Sequence, residues 1–178
     1  MAVLLFKITE RYCKRNGKLP KEIIIFHNAC TNDQVSLYRE FFLQTTKTHL
    51  KKQFENKYPL PFMTLVMVNT KTNERFFTPA KSSSETKNVR AGTVVSTDIV
   101  SKNYDFFMIS QFSHKGSTVP NHYRIVDSDS KMEEGILQEI IFSQCFGYVN
   151  WTGSIKIPAI LQYAKKSARF NSEVLKGK

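Results

Sequence analysis

The chain has 178 residues, of which 41% are apolar, 12% aromatic and 23% charged. That length suits a single domain burying roughly two-thirds of its unfolded surface, and the composition excludes wholesale disorder and collagen-like repetition. Twenty-six Lys and Arg against fifteen Asp and Glu leave a net charge of +11, which favours a polyanionic partner such as nucleic acid or an anionic surface.

The three cysteines, Cys13, Cys30 and Cys145, are odd in number, far apart and without a C-x-x-C pair. This argues against a disulfide framework and a zinc ribbon, and for a reducing intracellular setting, cytoplasmic or nuclear. No run of about eighteen apolar residues is present, and Lys7 and Glu10 interrupt the opening apolar stretch, so the expectation is a soluble chain with no membrane partner.

In chain order, Val3, Leu4, Phe6, Ile8 and Tyr12 mixed with Lys7, Glu10 and Arg11 predict a helix that Gly17 ends, so residues 1–20 form a leading helix and turn. The remainder, 21–178, forms the strand and helix body of one domain. The continuous apolar run Ile23–Phe26 predicts a central strand buried on both faces. Capping residues Thr31, Asn32 and Asp33 open a helical pattern through Val35, Tyr38, Phe41, Phe42 and Thr45, with a basic far end at Lys47, Lys51 and Lys52.

After Pro59 and Pro61, PFMTLVMVN reads as a second apolar strand, followed by a turn and a short ERFF strand. The stretch KSSSETKN is the most loop-like. Three strand patterns follow, GTVVSTDIV, YDFFMISQF and HYRIVDSD. Two helices close the chain. One carries Leu137, Ile140, Ile141, Cys145 and Tyr148; the other starts near Pro158 with Ile160, Tyr163, Ala164 and Ala168 inward. Strands alternating with helices predict an α/β layer architecture.

The colinear pieces PKEIIIFHNA with Gln34, TLVMVNTKTNERFF, RAGTVVSTDI, YDFFMISQ, KGSTVPNHYRIV, LQEIIFSQCFGYV and SIKIPAILQYAKKSARF resemble the C-terminal half of the Piwi domain of Argonaute and Piwi proteins. The resemblance covers nearly the whole chain. It implies a partial RNase H-like fold, a mixed sheet with flanking helices whose first strands are missing, so that an apolar sheet edge is left beside Ile23–Phe26. Active members cut RNA opposite a guide strand with two divalent metals held by carboxylates.

The resemblance places Asn28 where active members carry an aspartate, and Lys165 where they commonly carry a histidine; the remaining Asp and Glu lie upstream of the matched part. An amide brings no negative charge to offset two clustered dications, and an ammonium repels them. The resemblance therefore implies no slicer activity, no metal site and no cofactor. A nuclease completed by a partner or an upstream segment is the enzyme alternative.

Guide-contacting positions map to Arg75, Gln111, Tyr148 and Lys156, while Thr70, Asn73, Val119 and Asn150 replace basic or imidazole contacts. Lys71, Lys165, Lys166 and Arg169 offer compensating cations. These side chains suit backbone-directed binding of a single-stranded guide RNA, with its target RNA as a further partner. Each cation also fits an ordinary solvated surface residue, and Tyr148 fits a core-edge aromatic as well as an RNA contact. His122 and Tyr123 read as a hydrogen-bonded interior pair. Asp98, Asp105, Asp127 and Asp129 read as turn or strand-end residues, and His27, Cys30, His114 and His122 match no compact zinc spacing. A third reading is a protein-interaction module, because family members dock tryptophan-bearing peptides on this domain.

Overall fold

The computed structural model describes residues 2–28, 35, 36, 38, 44–54, 57–79, 86–100, 105–113 and 115–176. The predicted caps at Thr31–Asp33, together with Phe41, Phe42 and most of the serine-rich stretch, lie outside these residues. The elements are α1 (Ala2–Asn16), β1 (Glu22–Asn28), α2 (Gln44–Phe54), β2 (Phe62–Asn69), β3 (Phe77–Pro79), β4 (Thr86–Asn88), β5 (Val94–Val95), β6 (Asp105–Met108), β7 (Asn121–Ser128), α3 (Glu134–Gln144) and α4 (Ala159–Lys176). Five strands form a sheet in the order β1-β2-β7-β6-β5, and β3 pairs with β4 apart from it.

The chain divides into two compact units, the first comprising Met1–Ile25, Ala29–Met67 and Ile125–Lys131, the second Phe26–Asn28, Val68–Arg124 and Met132–Lys178. In the first, α1 stops where the Gly17 N–H returns to the Cys13 carbonyl at 2.8 Å with Gly17 at φ +66°, a left-handed backbone that glycine adopts without Cβ strain. Cys13, Leu19, Leu50 and Phe54 then pack α1 against α2, with Phe6 and Tyr58 beside them. Met63, Leu65 and Met67, alternate residues of β2, form a second cluster with Leu5, Ile23, Ile25 and Val126. Asp129 ties the start of β2, accepting from the Met63 N–H and pairing with Lys47 at 2.8 Å.

The sheet reverses the central, doubly buried placement read from the apolar run at Ile23–Phe26 and agrees with the edge that the resemblance implied there. Ile23–Phe26 is half-buried throughout and β1 stands at one end of the described sheet, whereas Met63–Val68 of β2 is buried on both faces. An unbroken apolar run marks a strand that tolerates cover on both faces but does not provide the cover. Of the described strands, β2 has a neighbour on each side and β1 has one.

In the second unit, β6 and β7 are antiparallel with Asp105 opposite Arg124, Phe106 opposite Tyr123, Phe107 opposite His122 and Met108 opposite Asn121. The two-residue period puts Phe106 and Tyr123 on one face, stacked at 5.1 Å, and Phe107 and His122 on the other, stacked at 4.5 Å. The turn before β5 needs Gly92, which sits at φ +90° with its N–H on the Ile109 carbonyl at 2.7 Å.

Several predicted bounds shift. The ERFF strand is instead Phe77–Pro79, Thr86–Asn88 of the loop-like stretch is strand, and GTVVSTDIV contributes only Val94–Val95. Short strands with one partner end where their neighbour ends, which sequence pattern does not mark. Helix α3 closes at Gln144, so Cys145 and Tyr148 follow it rather than ride on it. Along α4 only Ala159 and Leu161 are buried; Ile160, Tyr163, Ala164 and Ala168, read as inward, are exposed. Amphipathic spacing identifies a face that wants cover, not the element that covers it. Among the described residues no helix is long and apolar enough to cross a membrane.

Candidate nucleic-acid interface

The segment 69–75, leaving the end of β2, is fixed by short-range bonds. The Asn69 side-chain oxygen accepts from the Lys71 N–H at 3.0 Å, the Thr72 hydroxyl donates to the Pro120 carbonyl at 2.8 Å, and Arg75 donates to the Thr72 and Glu74 carbonyls at 3.0 and 2.6 Å. Lys156, from the segment before α4, donates its ammonium to the Thr70 carbonyl at 3.0 Å. Asn121, the first residue of β7 and 1% exposed, holds that segment from below by donating its amide to the Lys156 carbonyl.

Three predicted contacts converge here. Burial lowers the Lys156 pKa, and the positive charges of Arg75 and Lys165 lower it further. Among the described residues no ion pair joins Arg75, Lys156 or Lys165 to a carboxylate. Three cations with no ion-pair partner among the described residues raise the local potential, an arrangement that suits an anionic ligand.

Tyr148 and Lys166 make a second pair, the ammonium 5.0 Å from the ring centroid. The Lys166 hydrogen bond holds the Tyr148 phenol below its usual pKa. Tyr163 adds a ring at 5.4 Å, and its hydroxyl oxygen accepts the Val149 N–H at 3.1 Å. Gln111 and Arg169 are exposed, on the segment after β6 and on α4, and Lys71 is exposed on the 69–75 segment. Asn28 is the exposed last residue of β1, and Lys165 is half-buried on α4.

The sequence missed two groups. Asp105 heads β6, the strand-end place expected of it, but its side chain is 1% exposed, with Oδ2 3.4 Å from both His122 Nε2 and Arg124 Nε. A lone carboxylate inside the apolar run YDFFM was the available signal, because burying a charge requires a partner. Asn121 carried no such signal, since its role depends on a carbonyl 35 residues away. Tyr123 is interior as expected, but the two do not form a hydrogen-bonded pair: His122 is half-buried on the opposite face of β7 and turns to Asp105.

The resemblance implies a pair of divalent metals in active members, and the donors at the matching positions here are an amide, Asn28, and an ammonium, Lys165. Such a donor set does not fit a two-metal site, which requires clustered negative charge. Among the described residues no group of three or more His, Cys, Asp or Glu side chains is placed to hold a metal ion.

Comparison with known proteins agrees with this architecture. The chain is 35% identical over 162 residues to Protein argonaute-3 of Drosophila melanogaster, a match covering 88% of this chain and 17% of that protein. The crystal structure of Drosophila Piwi superposes with a TM-score of 0.77 at 26% identity, covering 93% of this chain and 22% of that one. Kluyveromyces polysporus Argonaute with a guide RNA gives a TM-score of 0.78 at 27% identity, covering 92% and 21%. The chain thus spans about a fifth of the length of the relatives it matches. The mixed α/β fold is that of the Argonaute and Piwi C-terminal lobes, a partial RNase H-like fold. The Piwi domain profile matches residues 1–176, and the chain belongs to the Piwi domain family.

Proposed function

We propose that this chain is the C-terminal part of a Piwi domain that grips the sugar-phosphate backbone of a single-stranded guide RNA and does not cut RNA. The observation that carries the reading is the convergence of Arg75, Lys156 and Lys165 without a carboxylate partner among the described residues. Backbone contacts of this kind fix register without reading sequence, and the guide RNA held by Kluyveromyces polysporus Argonaute supplies the partner class. Absence of cutting rests on Asn28 and Lys165, whose amide and ammonium leave a metal pair without anionic ligands.

The test is a paired assay on the full chain. Filter binding of a short single-stranded RNA should weaken when Arg75, Lys156 and Lys165 are neutralised together, and Mg²⁺ or Mn²⁺ should produce no cleavage of a guide-matched RNA. Reproducible cleavage would establish the nuclease reading instead.

The protein-interaction reading is favoured by α4, whose exposed apolar residues Ile160, Tyr163, Phe170 and Val174 recur at helical spacing. Capture of the chain by tryptophan-bearing peptides, with no retention of RNA on a filter, supports that reading over the first.

A further inference from the structure

Beside the cation cluster lies a cleft of about 300 Å³, at the lower end of the size range of small-ligand pockets. It is lined by the 69–74 segment, by Ile99 and Val100, and by the outer face of β6 and β7. Among the described residues its charges cancel: Lys71 and Arg124 stand against Glu74 and Asp105. Burial favours the uncharged ring of His122 over its cation. A phosphodiester entering this cleft would meet two carboxylates and little net attraction.

The chemistry suits a different part of the same polymer. The His122 ring, stacked on Phe107, and the aliphatic Ile99 and Val100 supply flat and apolar surface. Asn73, Glu74 and Arg124 bring donors and acceptors together, the mixed set that a nucleobase edge requires. Asp105 keeps Arg124 and His122 side by side through its two 3.4 Å contacts. The cleft also adjoins the backbone patch in the chain, because Thr70, whose carbonyl takes the Lys156 ammonium, lies between cleft residues Asn69 and Lys71.

The geometry points to a nucleobase site: an unstacked base of the bound RNA enters the cleft while its neighbouring phosphates lie on Arg75, Lys156 and Lys165. This rests on the backbone-binding reading above. It differs from that reading in one measurable respect, since a base contact contributes affinity without counterion release.

The test measures binding of a short single-stranded RNA to the full chain across a salt series, with Val100→Trp filling the cleft without altering charge. Expected is a loss of about tenfold in affinity with an unchanged salt slope, within the range for losing one stacked base. In the unsubstituted protein, an abasic nucleotide at one position of the RNA should give the same loss, and Val100→Trp should abolish that sensitivity. Should the tryptophan variant fail to fold, Asn73→Ala on the exposed rim and the abasic scan, which needs no variant, carry the test. Unchanged affinity in the cleft variants and throughout the abasic scan would overturn the base site. So would a slope lowered by about 0.7, the signature of one lost phosphate contact on a single strand. If the Arg75, Lys156 and Lys165 variant loses affinity while the cleft variants do not, the backbone reading stands and the base site falls. If the unsubstituted protein retains no RNA, both fall.

Discussion

The Lys156 ammonium donates to the carbonyl of Thr70, bridging 86 residues of sequence, and it does so where Arg75 and Lys165 add their charge. Asn121 makes this possible from the interior, its amide bonded to the Lys156 carbonyl. The cation is therefore aimed by a buried side chain that RNA cannot touch.

Asn121→Ala is expected to cost about 1–3 kcal/mol, because it strips a partner from a carbonyl and leaves a small void. Urea unfolding reads the loss as a lower midpoint at unchanged slope. RNA affinity should fall as well, measured at a temperature where the variant is still folded, and full retention of affinity would separate Lys156 from Asn121.

Removing the buried carboxylate in Asp105→Ala should cost about 2–4 kcal/mol, toward the lower part of the range for broken buried pairs because the Arg124 side chain is 41% exposed and partly solvated. Arg124→Gln should also destabilise, leaving Asp105 with less compensation. A double variant that removes both is expected to cost less than the sum, as a double-mutant cycle in denaturant would show.

The α/β class, the leading helix with its Gly17 stop and the long strand β7 were legible in the sequence, because each rests on local periodicity or a single glycine. Local pattern did not separate central from edge placement, since Ile23–Phe26 and Met63–Val68 carry the same apolar signature; the edge beside Ile23–Phe26 was legible only through the resemblance. At the site, the residue types at Arg75, Lys156 and Lys165 were legible, but placing Lys156 beside the segment that carries Arg75 depends on its bond to Thr70, 86 residues away. Asp105 stands at the expected strand end, but its burial shows only once its cross-strand partner, Arg124, is known.

Burial lowers the His122 pKa, against the raising influence of Asp105. The folded protein therefore favours the neutral ring more than the unfolded chain does. This contribution is fully present above the unfolded value near 6.5 and is lost as pH falls through the lower folded value. A stability-against-pH curve should decline in this window below about pH 6.5, and His122→Gln should flatten that decline.

Tyr123→Phe keeps the stacking on Phe106 and removes only a buried hydroxyl, so stability should change by about 1 kcal/mol or less, whereas Tyr123→Ala should cost about 3–5 kcal/mol by opening a cavity in the core. Thermal unfolding of the two variants side by side separates the contribution of the ring's packing from that of the hydroxyl.

The central claim is that Arg75, Lys156 and Lys165 jointly hold phosphates, and the salt dependence of single-stranded RNA binding tests it most directly. Replacing all three with uncharged residues should weaken binding and lower the slope of log K against log salt by about 2, at roughly 0.7 per phosphate. An unchanged affinity and slope in the triple variant would contradict the account.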